Sequence, residues 1–88
     1  MTDDLKPRLA PGVKLRIDDR RGPVLLGPER VLELDEIAQQ IVSQFDGTKR
    51  ISEIAAGLAR EYDEKADVIR ADIDNLLKDL AAKGYVKP

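Results

Sequence analysis

Few side chains in this 88-residue chain could carry chemistry. Cysteine and histidine are both absent. Their absence removes thiolate nucleophiles, disulfides and the usual zinc ligand sets. It also removes the side chain that most readily moves protons near neutral pH. The hydroxyls of Thr2, Ser43, Thr48 and Ser52 have no histidine to activate them. Two carboxylate pairs, Asp18 with Asp19 and Asp72 with Asp74, invite an acid–base or metal reading. The first pair opens a turn at Asp18-Asp19-Arg20-Arg21-Gly22, and residues two apart on a helix point to different sides. Neither spacing matches a calcium loop. The expectation is therefore no catalytic residue, no metal, no cofactor and no enzyme.

The elements that hold these residues follow from composition and pattern. Hydrophobic residues make up 42% of the chain and charged residues 36%, which suits one soluble domain. Phe45, Tyr62 and Tyr85 are the only aromatics, so the core must be aliphatic. The net charge is -2, distributed as +2 over residues 1–30, -3 over 31–49 and -1 over 50–88. No block has the basic excess of a nucleic-acid footprint. No apolar run is long enough for a membrane span or a signal-peptide core. The lack of cysteine fits a cytoplasmic protein, and a cytoplasmic location is expected.

Residues 1–11, polar with Pro7 and Pro11, read as a flexible arm ahead of a domain over 12–88. Val13, Leu15 and Ile17 alternate with charged residues, which predicts a strand with one buried face. Pro23–Leu26 and Val31–Leu34 follow as second and third strands across short turns, giving an antiparallel meander. The period then changes. Leu34, Ile37, Ala38, Ile41, Val42 and Phe45 form one face of a helix with Asp35 as N-cap and Asp46-Gly47 as its stop. Ile51, Ile54, Ala55, Leu58, Ala59 and Tyr62 repeat the spacing, with Ser52 as the expected N-cap. Ile69, Ile73, Leu76, Leu77 and Leu80 mark a third helix ending at Lys83-Gly84, after which Tyr85 and Val86 fold back over the core. The economical packing places three helices on one face of a three-stranded sheet, an α+β arrangement.

Leu25-Leu26-Gly27-Pro28-Glu29-Arg30-Val31-Leu32-Glu33-Leu34 resembles the signature of the PqqD family. Asp46-Gly47 followed by Ile51-Ser52-Glu53-Ile54-Ala55 is similar in the same way. So is the spacing from there to Asp72, Leu76, Leu80 and Gly84-Tyr85-Val86. The resemblance covers nearly the whole chain, and its specificity lies in the combination and order. Gly27 departs from the pattern, standing where an aromatic or other large residue is expected. The resemblance implies a winged helix-turn-helix-like fold of the peptide-recognition type. It implies a non-catalytic peptide chaperone of pyrroloquinoline quinone biosynthesis. Such a chaperone binds the ribosomal precursor peptide PqqA and presents it to PqqE, a radical S-adenosylmethionine (SAM) enzyme that joins a Glu and a Tyr side chain. Related domains grip a leader peptide along the third strand and the third helix. Carried over, this points to Val31, Leu32, Glu33 and Leu34, and to Ile69, Arg70, Ile73 and Leu77. Which flank of the third helix lines the groove stays open.

The third strand has a functional reading of its own. A meander leaves two edges with unpaired backbone groups, usually blunted by charge or proline. Val31–Leu34 offers one charge, Glu33. The bland alternative is that the N-terminal arm or a second copy of the chain covers this edge. A DNA-binding winged-helix regulator is the competing function, because fold alone does not decide between them. Against it, the third helix is acidic, which meets phosphate repulsion, and the strands precede the helices rather than following them. No nucleic-acid and no membrane partner is expected.

Overall fold

Alternating apolar side chains can bury one face of a sheet only if a second layer covers that face. The computed structural model, which describes residues 5–87, supplies that layer with three helices. The elements in chain order are β1 (Arg8–Leu9), β2 (Lys14–Asp18), β3 (Gly22–Gly27), β4 (Arg30–Glu33), α1 (Glu36–Val42), α2 (Ile51–Glu61), α3 (Ala66–Ala82) and β5 (Val86–Lys87). Strands β2, β3 and β4 form an antiparallel meander in that order. Its register sets Leu15 opposite Leu25 and Leu25 opposite Leu32, one row on the face that packs on the helices. The third strand starts one residue earlier than the pattern suggests, at Arg30, and ends at Glu33.

Leu25, Ile51, Ile73 and Leu80 are fully buried at the centre of the core. Each such side chain contributes about 1.5–3 kcal/mol relative to exposure. Ile17 does not share this burial. It continues the apolar face of β2 but is 63% exposed at the distal end of the hairpin. The turn beyond it is held by Asp18, whose Oδ1 accepts from the amides of Arg20 and Arg21 at 2.8 and 2.9 Å. These charge-assisted bonds hold the exposed carboxyl below its ordinary pKa.

Helix α1 begins as its sequence implies, with Asp35 accepting from the Ala38 amide at 2.8 Å. It ends at Val42, however, before Phe45. The amides of Gln44 and Phe45 reach back only three residues, to the Ile41 and Val42 carbonyls, and the chain tightens out of the helix. Gly47 therefore lies in the following loop and is not the helix stop. Helix α2 is capped at Arg50 rather than Ser52, which lies inside the helix. Glu53 accepts from the Arg50 amide at 2.9 Å, so the carboxylate half of a capping box is enough to start it. At the end of α3 the Tyr85 amide bonds the Leu80 carbonyl and the Gly84 amide bonds the Ala81 carbonyl. This is the Schellman pattern, with Gly84 at φ +80°. It turns Tyr85 and Val86 back into the core, where both are buried.

Part of the segment set apart as an arm joins the domain. Arg8–Leu9 pair antiparallel with Val86–Lys87 in a second, two-stranded sheet. Pro7 is buried, and its carbonyl accepts from the Gly47 amide at 3.0 Å. The start of the arm, residues 1–4, lies outside the described residues. Two-residue strands carry no readable alternation, so the sequence pattern does not announce this pairing. Among the described residues, no helix is long and apolar enough to cross a membrane.

Candidate functional site

Strand β4 is an edge of the meander, and among the described residues it pairs only with β3. The amide of Leu34 bonds the Pro23 carbonyl at 2.9 Å just beyond the strand end. Antiparallel pairing alternates, so the backbone groups of Leu32 also point towards β3. Those of Val31 and Glu33 point away from the sheet. The side chains divide differently. Leu32 and Leu34 are half-buried against the core, whereas Val31 is 47% exposed and Glu33 is exposed. Residues 31–34 thus combine an apolar inner row with two outward-facing peptide units.

Arg30, at the start of β4, ties this edge to the third helix. Its Nη1 donates to the Lys83 carbonyl at 2.7 Å, and its guanidinium sits 4.5 Å from the centroid of the Tyr85 ring. A cation over an aromatic face contributes about 0.5–1 kcal/mol at an exposed site. Gly27 packs beside this pair: a Cβ there would lie 3.4 Å from the Tyr85 ring and 3.8 Å from the Arg30 Nε, ordinary contact distances.

On α3 the expected residues fall into two groups. Ile69, Ile73 and Leu77 are buried, and they form the core-facing stripe beneath the groove rather than an open surface. Arg70 is partly exposed, with its Nε donating to Asp74 Oδ1 at 3.2 Å one turn on. It lies on the opposite side of the helix from Asp72. The flank turned towards the β4–α1 connection carries Asp72, Asn75, Leu76 and Asp79, which share a hollow of about 330 Å³ with Asp35, Ile37 and Ile41. Sequence spacing does not reveal this flank, because Leu76 and Leu77 are both apolar and only packing shows which of them borders a groove.

A larger crevice of about 550 Å³ continues the same channel towards the start of α3. Ile69 contributes to its wall with Ile37, Tyr62 and Val68, and the latter two are exposed large hydrophobics. Its rim carries Asp35, Glu36, Glu64 and Asp72. The Tyr62 hydroxyl is pushed above its ordinary pKa, first by desolvation and then by Glu61 and Glu36. It therefore stays protonated at neutral pH and offers no phenolate nucleophile. Among the described residues, no group of three or more carboxylates stands close enough to hold a metal ion. The arrangement can pair backbone, bury apolar side chains and attract positive charge.

Comparison with known proteins is consistent across sequence and structure. The pattern of the family described as coenzyme PQQ synthesis protein D (PqqD) matches residues 22–86. The PqqA binding protein of Xanthomonas oryzae pv. oryzae is 45% identical over 88 residues, covering 99% of this chain and 96% of that protein. The solution structure of the PqqD portion of Methylobacterium extorquens PqqCD, described as a stand-alone recognition element for ribosomally synthesised and modified peptides, superposes with a TM-score of 0.86 at 39% identity. It covers 100% of this chain and 94% of that one. A lasso peptide synthetase B1 complexed with its leader peptide superposes with a TM-score of 0.81 at 26% identity, covering 94% of this chain and 99% of that one. On the sequence match over most of its length, together with the shared three-strand, three-helix architecture, the chain belongs to the PqqD family.

Proposed function

We propose that this chain is a non-catalytic adaptor that binds the precursor peptide PqqA and presents it to the radical SAM enzyme PqqE. The observation that carries the reading is the open β4 edge, held against the end of α3 by Arg30. An extended peptide must satisfy its own backbone groups, and an unpaired sheet edge is where it can do so. Val31 and Glu33 would exchange backbone bonds with the peptide, and Leu32 and Leu34 would supply the apolar inner row. Ile69, Ile73 and Leu77 would support the groove from below, with Arg70 at its periphery. The names of the relatives and the leader-bound neighbour support the peptide as ligand.

Titration of the labelled protein with PqqA tests the binding mode. Amide protection is expected to rise at Val31 and Glu33, with side-chain shifts along residues 69–79. Perturbation centred on residues 50–62 would overturn the edge as the binding site. Presentation is tested separately: PqqE is expected to cross-link PqqA faster with this protein than without it. An equal rate in both cases would leave a peptide binder that is not an adaptor.

A further inference from the structure

The edge strand explains how a peptide backbone is held, but not the crevice beyond it. We propose that the crevice between α1 and the start of α3 receives a lysine or arginine side chain of the bound peptide. The inference rests on the peptide-binding reading above and adds the chemistry of one recognised residue. The apolar wall is formed by Ile37, Tyr62, Val68 and Ile69. Tyr62 and Val68 are 39% and 45% exposed, so this wall is accessible to an incoming chain. The rim is wholly acidic: Asp35, Glu36, Glu64 and Asp72. None of the described lining residues is a lysine or arginine.

A long cationic side chain satisfies both requirements at once. Its methylene stem lies along apolar surface while its charged head stays at the polar rim. A purely apolar occupant would bring four carboxylates towards low dielectric with no compensation. An acidic occupant would meet repulsion. A metal ion does not fit, because the carboxylates do not converge into a ligand set. Two of these carboxylates already accept from backbone amides, Asp35 from Ala38 and Glu64 from Lys65. They are therefore oriented and still have acceptor capacity to spare.

Position along the chain supports the same occupant. Asp35 lies two residues past the end of β4, and the smaller hollow shares Asp35, Ile37 and Asp72 with the crevice. A ligand paired along β4 that continues past Glu33 would head towards Asp35, which lines both hollows. At about 3.3 Å per extended residue, the residue that enters lies roughly two to four positions outside the paired segment.

The test is calorimetric titration of the full chain with PqqA. Asp72→Asn combined with Glu64→Gln is expected to weaken binding about 5- to 30-fold, while Asp19→Asn in the distant turn leaves it unchanged. Val68→Lys, which places a cation in the crevice from within the chain, should weaken binding to a similar degree. Replacing each lysine and arginine of the peptide by methionine should then reveal one position whose loss disappears in the Asp72→Asn, Glu64→Gln protein. Equal affinity of the double variant and the unsubstituted protein would overturn the inference and leave the adaptor reading intact. So would losses that add at every peptide position. Failure of the unsubstituted protein to bind PqqA would instead remove the adaptor reading itself.

Discussion

Gly47 adopts φ +82° in the loop after α1, and its amide donates to the Pro7 carbonyl at 3.0 Å. A Cβ there would meet the Arg8 Cβ at 3.5 Å, an ordinary contact, so substitution is opposed by the backbone conformation and not by lack of space. Gly47→Val is expected to lose about 1–2 kcal/mol of stability in urea unfolding. An unchanged midpoint would mean that the loop relaxes to negative φ at no cost. The neighbouring Asp46 gives the loop a pH dependence. The Thr48 hydroxyl at 2.6 Å and its amide at 2.9 Å hold the exposed Asp46 carboxyl below its ordinary value of 3.8. A folded-state pKa below the unfolded one contributes stability that is present above 3.8 and lost as pH falls through the folded value. Thermal stability should therefore fall as pH drops below about 4, and Thr48→Val should reduce that fall. Identical pH profiles for the two proteins would contradict the assignment. The positive φ of Gly47 was legible from the Asp-Gly pair. Its place in a docking loop was not, because the partner, Pro7, is forty residues away in sequence.

At the scale of elements, the two kinds of backbone position on β4 make a sharp contrast. Val31 presents its amide outwards, so Val31→Pro removes a donor to the ligand while keeping the bonds to β3. Proline is tolerated on edge strands for this reason. The variant should stay folded and lose about 0.5–1.5 kcal/mol of peptide affinity, the worth of one hydrogen bond. Leu32→Pro removes a donor that faces β3 and should unfold the strand. Thermal melts together with peptide titration distinguish the two, and equal effects at both positions would show that the peptide does not pair with this edge. The edge was readable in the sequence. Val13, Leu15 and Ile17 set the period of the first strand, and short turns at Asp18–Gly22 and Gly27–Arg30 forced a meander with the third strand outermost. The groove beside it was only half readable. The stripe Ile69, Ile73, Leu77, Leu80 identifies the side of α3 that is buried. The side that borders the groove is polar except for Val68 and Leu76, too few apolar positions to carry a periodic signal.

For the molecule as a whole, charge and chain ends matter most. Helix α3 carries Asp67, Asp72, Asp74 and Asp79 against Arg70 and Lys78, and the protein has a net charge of -2. Duplex DNA should bind weakly or not at all at physiological salt, since phosphate contacts need basic groups. A tight sequence-specific complex in a mobility-shift assay would revive the regulator reading. The chain ends lead to the remaining prediction. Residues 1–11 mix prolines and charges with no period, the pattern of an arm outside the domain. Yet Leu5, Leu9 and Ala10 pack against the core, and Pro7 is fully buried. The Ala10 amide bonds the Tyr85 carbonyl at 2.9 Å, so the segment secures the turn that returns β5 to the core. Tyr85 in turn supports Arg30 and hence the β4 edge. Removing residues 1–11 takes away four partly or fully buried apolar side chains, Leu5, Pro7, Leu9 and Ala10, at about 1 kcal/mol each, so a loss of roughly 3–5 kcal/mol is expected. That is a large part of the ~5–15 kcal/mol that holds a typical domain. The truncated chain should unfold at much lower urea and exchange the amides of Tyr85 and Val86 quickly. If its midpoint and exchange matched the full chain, the segment would be a dispensable arm, and the support it lends the peptide edge through Tyr85 would have to come from α3 alone.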